Sequence, residues 1–212
     1  MEEAKYILHI SASPQKEEKS FSKRLANVFL EECAKKFPDV NVLHRDLAKF
    51  PIHHLDEDNI CAEYLPETEF TPEMKQKLEF RLALIHEIVN ATAIVISTPK
   101  YNWNIPSSLK AYIDQIILEG KLDGENHQQL SGKPVTVLLA TGGGNRPQDD
   151  FPIKYLQHTF SSLGSTDIQV IRTEFCLAGI IKGTENKIPR RDESYCRATY
   201  SVRKRVDEMV LV

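Results

Sequence analysis

The chain has 212 residues, of which 41% are apolar and 27% charged, and its formal net charge is −3. These values describe a globular chain long enough to bury a large core, and they argue against intrinsic disorder. The slightly acidic balance gives no basic footprint for nucleic acid, and no apolar run approaches the roughly 20 residues of a membrane-spanning helix.

The N-terminal residues and the cysteines predict a cytoplasmic protein. Residues 1–5 have neither a basic region nor a small-residue cleavage site, so we expect no signal peptide. The four cysteines, Cys33, Cys61, Cys176 and Cys196, show no CxxC spacing and are expected to be reduced thiols. The adjacent histidines His53-His54 lack the spacing of a metal site. We therefore expect no metal, no membrane and no nucleic-acid partner.

In the first third of the chain, two apolar runs enclose one helical pattern. Residues 5–11 form a short apolar run typical of a buried strand, and residues 40–44 form a second. Between them a helical period begins at Ser20 and breaks at Pro38. Residues 47–70 show no period, so we expect a long irregular connection, and connections of this length are often functional.

From Thr71 onward, helical and strand patterns alternate. Thr71-Pro72-Glu73 supplies a capping hydroxyl, a proline at the first helical position and an acid in the first turn, which predicts a helix start. The predicted elements that follow are a strand at 91–98, a helix after 105, a strand at 133–140, a helix at 151–163, a strand at 168–174 and a helix at 190–210. This alternation predicts one α/β domain over residues 1–212 with a parallel sheet. Ligands of such sheets bind outside the carboxyl ends of the strands, so the loops after strands one, three and four are candidate sites.

The loop after the first strand has the features of a monophosphate site. It leads into a helix N-terminus, where free N–H groups and the helix dipole favour an anion, and Ser13, Ser20 and Ser22 add hydroxyl donors. The chain has no GxxxxGK[ST] motif for a triphosphate and no GxGxxG motif for a dinucleotide. A phosphate held by hydroxyls and amides fits this loop. Serines that only cap the helix would give the same pattern.

The loop after the third strand carries two aromatic residues beside two asparagines. It begins with Pro99-Lys100-Tyr101-Asn102-Trp103 and continues with Asn104. Aromatic faces next to amides suit a flat heteroaromatic ligand, which needs ring contact and hydrogen bonds at its edge. The alternative is that Tyr101 and Trp103 fill space in the core.

Together these segments resemble the FMN-dependent NAD(P)H:quinone oxidoreductases and azoreductases of flavodoxin-like fold. The family pattern P-M-Y-N-F, followed by I/V-P, L-K and I-D, is matched by Pro99, Tyr101, Asn102, Pro106, Leu109, Lys110, Ile113 and Asp114, with Trp103 in the phenylalanine place. Ser13-Pro14 and Ser20-Phe21-Ser22 are similar to the family's phosphate loop with one extra residue between them. Thr141-Gly142-Gly143-Gly144 is similar to its S-R-G-G, and the order of elements agrees over essentially the whole chain.

The resemblance implies a flavodoxin-like three-layer sandwich with a five-stranded parallel sheet of order 2-1-3-4-5. It implies that FMN binds with its phosphate at Ser13, Ser20 and Ser22 and the Phe21 amide. The flavin ring would lie on Pro99, Lys100, Tyr101, Asn102 and Trp103, with Thr141, Gly142, Gly143 and Gly144 along its other edge. Glycine backbone can approach a ring closely because no Cβ intervenes.

The chemistry implied is ping-pong hydride transfer from NADH or NADPH to a small-molecule acceptor, such as a quinone or an azo compound. The flavin carries the hydride, so we expect no catalytic acid, base or nucleophile from the protein. The family also implies a homodimer with the active site at the interface. Two alternatives stay open: a flavin reductase that supplies reduced FMN to a partner monooxygenase, and a flavodoxin-like electron carrier without turnover of its own.

The chain departs from the family pattern at three places. Lys100 replaces a methionine, and we interpret it as a residue that tunes the flavin or selects an acidic substrate, unless its ammonium only reaches solvent. Gly142 stands where the family often has arginine, so one cation is lost. The segment 119–130, expected to cover the substrate, is polar and carries no aromatic residue.

Overall fold

A computed structural model of the chain describes residues 5–118, 129–144, 146, 148 and 150–211. The strands are β1 (Tyr6–Ser11), β2 (Asn41–Asp46), β3 (Ala93–Pro99), β4 (Val135–Ala140) and β5 (Ile168–Thr173). The helices are α1 (Phe21–Lys36), α2 (Glu57–Tyr64), α3 (Pro72–Asn90), α4 (Ser107–Ile116), α5 (Phe151–Ser162) and α6 (Ile188–Glu208). Within these ranges, no helix combines the length and the apolar content that a membrane crossing needs.

The five strands form one parallel sheet of order β2-β1-β3-β4-β5, which confirms the predicted order. Every residue of β3 and β4 is buried, because helices cover both faces of the sheet. A parallel strand in this position is apolar along its whole length, which is why the sequence shows continuous apolar runs rather than alternation. The register sets Ser11 beside Ser97, Pro99 beside Ala140, and Ala140 beside Thr173. The carboxyl ends of these strands therefore meet at one edge.

The sheet divides the core into two apolar clusters, one on each face. Side chains of α3, α4 and α5 pack on one face, and side chains of α1 and α6 pack on the other. Alternate residues of β1 contribute to opposite clusters, with Leu8 and Ile10 in the first and Ile7 in the second. The molecule is therefore a three-layer sandwich, as predicted.

The segment 47–70, predicted to be irregular, contains α2, so that prediction is wrong. The helix begins with a capping box in which the Asp56 carboxylate accepts from the Asn59 amide at 3.2 Å and the Asn59 side chain accepts from the Asp56 amide at 3.2 Å. Only Asn59 and Ala62 of α2 are buried. Two buried residues are too few to show a helical period in the sequence. The capping box at Asp56 is therefore the local feature that could have predicted α2.

Arg81 ties α2, α3 and α4 together from the middle of α3. Its side chain is 1% exposed, and its guanidinium forms an ion pair with Glu63 of α2. The same group donates to the carbonyl of Gln115 at 3.0 Å and to that of Ile117 at 2.7 Å. These carbonyls lie at the C-terminus of α4, where they lack helical partners. The helix that follows the β3 loop is thereby fixed at its far end.

Candidate functional site

The loop between β1 and α1 gathers three buried hydroxyls at a helix N-terminus. Ser20 Oγ donates to Ser13 Oγ at 2.9 Å and lies 3.3 Å from Ser22 Oγ. Ser20 is also the N-cap of α1 and accepts the Lys23 amide at 3.4 Å. The amides of Phe21 and Ser22 come earlier in the helix and have no intrahelical acceptor. The helix cap and the hydroxyl cluster coexist, and a phosphate site at these serines stays a prediction.

The loop after β3 is a tight turn that presents two aromatic rings to the surface. Tyr101 and Asn104 exchange backbone hydrogen bonds of 2.8 and 2.9 Å, and the two residues between them have positive φ, 46° at Asn102 and 67° at Trp103. A left-handed conformation costs a residue with a side chain about 1–2 kcal/mol, and such strain is concentrated at functional sites. Tyr101 is 38% exposed and Trp103 69% exposed. Neither ring fills the core, so that alternative is wrong.

The loop after β4 is fastened to the loop after β5 by hydrogen bonds. Cys176 donates its amide to the Thr141 carbonyl at 3.0 Å, and Leu177 donates to the Gly142 carbonyl at 3.1 Å. Within the loop, the Thr141 hydroxyl donates to the Gly143 carbonyl at 2.8 Å. The glycine run is therefore held in place by its neighbours along the carboxyl edge of the sheet.

The three glycines of this loop differ in the space around them. A Cβ on Gly142 would lie 2.6 Å from Leu177 Cδ1, and one on Gly144 would lie 2.7 Å from Phe175 Cζ. Both distances are shorter than a van der Waals contact, so these glycines allow the loop after β5 to pack closely. No atom lies within 4 Å of a Cβ on Gly143. Only Gly143 therefore has open space beside it.

Two neighbouring cavities, which share Lys100, Thr141 and Gly142 in their linings, lie where these loops converge. The inner cavity, of about 130 Å³, is lined by Ser13, Gln15, Lys19, Ser20, Phe21, Ser22, Pro99, Lys100, Tyr101, Ala140, Thr141, Gly142, Cys176, Leu177 and Ile180. The outer cavity, of about 410 Å³, is lined by Lys100, Asn102, Trp103, Thr141, Gly142, Gly143, Gly144 and Arg146. Every predicted site residue lines one of the two. A side-chain hydrogen bond between Ser13 and Tyr101 joins the serine loop to the aromatic turn.

Two titratable groups at the inner cavity, the Cys176 thiol and the Tyr101 phenol, are neutral near pH 7. Burial raises the pKa of the Cys176 thiol to about 11, despite a hydrogen bond to the Thr173 carbonyl that opposes the shift. Burial also raises the pKa of Tyr101 above its ordinary value, and its hydrogen bond with Ser13 opposes this. A protonated thiol is a poor nucleophile. Neither Cys176 nor Tyr101 is therefore an activated nucleophile, and both contribute shape and hydrogen bonds to the cavity wall.

The chain matches the family model of the flavodoxin-like fold over residues 5–197. It is 34% identical over 181 residues to the FMN-dependent NADH:quinone oxidoreductase of Frankia alni, which covers 82% of this chain and 85% of that protein. It is 35% identical over 178 residues to the FMN-dependent NADH:quinone oxidoreductase of Nostoc sp., which covers 79% and 86%. The chain belongs to the family of FMN-dependent NADH:quinone oxidoreductases.

A solved structure confirms the fold. The FMN-dependent NADH-azoreductase from Bacillus anthracis, determined in complex with FMN, superposes with a TM-score of 0.80 at 22% sequence identity, covering 96% of this chain and 98% of that chain. The two proteins therefore share the fold.

Sequence reasoning missed part of the lining of both cavities. Arg146 was not singled out, nor were Cys176, Leu177 and Ile180 of the loop after β5. The loop after β5 could have been predicted to line the site. Ligands of parallel sheets bind at the carboxyl ends of the strands, and β5 lies beside β4 with its carboxyl end at the same edge. Most of the predicted polar segment over the substrate, residues 119–128, lies outside the described residues.

Behind the serine loop, polar side chains of β1, β2 and β3 meet, with His9 and Ser97 buried and His44 exposed. His9 lies between two partners, with its Nδ1 3.1 Å from His44 Nδ1 and its Nε2 2.9 Å from Ser97 Oγ. Burial, followed by the neighbouring His44, lowers the pKa of His9 from 6.5 to about 4, while Asp46 opposes the shift and Lys23 adds to it. His9 is therefore neutral in the folded protein at pH 7.

Stability should fall as the pH drops from 6.5 towards 4. In this window the unfolded chain binds a proton at position 9 that the folded chain resists. The free energy of unfolding therefore falls by up to about 3 kcal/mol as the pH drops, and it has its full value only above pH 6.5. Urea unfolding at several pH values measures this loss. His9→Gln should flatten the pH dependence, and His158→Gln, at an exposed position, should leave it as in the wild type. An equally steep loss in His9→Gln would contradict the assignment.

Proposed function

We propose that this chain is an FMN-dependent NADH:quinone oxidoreductase that transfers hydride from NADH to a quinone, an azo compound or a related small electrophile. The observation that carries the proposal is the convergence of the serine loop, the aromatic turn and the glycine loop on the two neighbouring cavities. The named relatives at 34–35% identity support it. Bound FMN would supply the hydride chemistry through its ring, and the protein would supply binding and orientation.

The serine loop would hold the FMN phosphate. Ser13, Ser20 and Ser22 are buried side by side, and the Phe21 amide opens the helix whose dipole points at them. Ser13 Oγ accepts the Ser20 hydroxyl at 2.9 Å and also shares a hydrogen bond with Tyr101, so a bound phosphate would exchange these internal hydrogen bonds for its own. This arrangement binds an anion with neutral donors, and so needs no basic surface in a chain of net charge −3.

The aromatic turn and the glycine loop would hold the flavin ring. Pro99, Lys100 and Tyr101 line the inner cavity, and Asn102 and Trp103 continue into the outer one. Thr141, Gly142, Gly143 and Gly144 form the opposite wall. Burial keeps the Cys176 thiol protonated and therefore a poor nucleophile, which fits a site whose hydride chemistry comes from the cofactor.

Two alternative functions make different demands on the bound cofactor. A flavin reductase that serves a partner monooxygenase would release reduced FMN, and an electron carrier would keep FMN without oxidising NADH. The proposed enzyme keeps FMN through purification and oxidises NADH when a quinone is added. The names of the relatives favour this third behaviour.

We also propose a cytoplasmic protein formed by one domain over residues 1–212. Its four cysteines are free thiols, which is usual in a reducing compartment. Recovery of the protein mainly from a secreted or membrane fraction would contradict the assignment of compartment. Limited proteolysis that released two separately folded parts would contradict the single domain.

A homodimer with the active site at the interface is part of the same proposal. Large apolar side chains are exposed at the rims of both cavities, with Trp103 at 69% and Ile180 at 63%. A second copy would cover this apolar surface. Sedimentation velocity should therefore show a particle of twice the chain mass of 24.2 kDa, and Trp103→Ser should weaken the association. Only monomers at micromolar concentration would contradict the proposal.

Ser13→Ala should weaken FMN binding about tenfold or more, because a hydrogen bond to a charged phosphate is worth about 1.5–3 kcal/mol. Riboflavin, which has the ring without the phosphate, should bind equally to the variant and the wild type. Quenching of flavin fluorescence measures both affinities. Ser162→Ala on the exposed face of α5 serves as the matched control and should change neither. Equal losses for FMN and riboflavin would place the phosphate elsewhere.

A further inference from the structure

The start of α1 carries two cations where a helix disfavours them. Lys23 and Arg24 follow directly after Phe21 and Ser22, and the first turn of α1 contains no acidic residue. The N-terminal end of a helix dipole is positive, so a cation near it costs stability and an anion gains it. The Asp46 carboxylate, 3.3 Å from the Lys23 ammonium, compensates the first of the two charges. An anion at the serine loop would compensate the second.

Arg24 is held between two aromatic rings. Its Cζ lies 4.8 Å from the ring centroid of Phe21 and 4.6 Å from that of Tyr195 in α6. The two rings meet edge to face with their centroids 5.6 Å apart. Arg191 of α6 adds a second guanidinium, whose Cζ is 5.9 Å from the Phe21 centroid. Aromatic faces attract a guanidinium without neutralising it, so these contacts fix Arg24 in place and leave its charge intact.

This aromatic stack lies directly behind the wall of the inner cavity. Phe21 lines the cavity, and so does Cys176 of the loop after β5. Arg191 Nη1 donates to the Ala178 carbonyl of the same loop at 3.0 Å. The charges of Arg191 and Arg24 both lower the pKa of the Cys176 thiol against the larger effect of burial. The field of the two arginines therefore reaches the cavity from behind its lining.

We propose that Arg24 is a positioning residue that makes the inner cavity selective for the phosphate of FMN over the neutral end of riboflavin. Hydroxyls and amides of the serine loop contact the phosphate, and Arg24 adds a positive charge behind them. Its stack also fixes Phe21, whose amide opens α1. Arg191 contributes less, because Asp192 pairs with it at 2.8 Å. The identity of the anion rests on the proposed function.

Titration of the protein with FMN and with riboflavin, followed by quenching of flavin fluorescence, tests this role. Arg24→Gln should weaken FMN binding about three- to tenfold and leave riboflavin binding unchanged, because only the phosphate senses the charge. Arg24→Lys keeps the charge and should restore most of the FMN affinity. Arg203→Gln is the matched control, since it removes an exposed arginine 3.5 Å from Glu32 in the second half of α1, and it should change neither affinity.

Salt separates the effect of charge from a structural effect. Added sodium chloride should weaken FMN binding to the wild type, because it screens the attraction between Arg24 and the phosphate. The same addition should weaken FMN binding to Arg24→Gln less steeply and should leave riboflavin binding unchanged in both proteins. An identical salt dependence of FMN binding in the wild type and in Arg24→Gln would contradict the proposed role of the charge.

The remaining outcomes separate this inference from the proposed function. Arg24→Gln with the wild-type ratio of FMN to riboflavin affinity, or with equal losses of both, would overturn the inference and leave the proposed function standing. A wild-type protein that binds riboflavin as tightly as FMN would contradict the phosphate site itself and overturn both. Selective loss of FMN binding in Arg24→Gln, in a protein that oxidises no NADH when a quinone is added, would support the inference and contradict the proposed function.

Discussion

The site depends on parallel hydrogen bonding that continues one residue beyond the strands. The first residue after each of β1, β2, β3 and β4 donates its amide to a carbonyl of the neighbouring strand. The four bonds are Leu47 to Ser11 at 2.9 Å, Ala12 to Ser97 at 2.9 Å, Lys100 to Ala140 at 2.8 Å and Thr141 to Thr173 at 2.9 Å. The loops that carry the hydroxyls, the aromatic rings and the glycines therefore leave the sheet from fixed positions, which is the preorganisation that a binding site needs.

The strained turn after β3 and the closely packed glycines after β4 both lie at this edge of the sheet. Asn102 and Trp103 hold left-handed conformations inside a turn that two backbone hydrogen bonds close. Gly142 and Gly144 lie so close to the loop after β5 that a methyl group would overlap it. Such local costs persist only where surrounding contacts determine the backbone, and here they leave two rings exposed beside an open cavity.

The sequence predicts most of the fold and the centre of the site, and physical reasons explain what it misses. Apolar runs predict β3 and β4 well because both are buried on every face. Periodicity does not find α2, which buries too few residues to form a stripe. Arg146 and the β5 loop reach the site only through topology, so no local pattern marks them. The serines and the aromatic turn stand out in the sequence because hydroxyls at a helix start and aromatic residues beside amides are unusual in a plain connection, and their roles toward a phosphate and a ring are part of the proposed function.

Anaerobic titration of the FMN-loaded protein with NADH tests the central claim most directly. The account predicts that one equivalent of NADH bleaches the visible absorption bands of the bound flavin, and that one equivalent of quinone then restores them with the flavin still attached to the protein. A protein that fails to bind FMN, or whose bound FMN keeps its absorption in excess NADH, would contradict it.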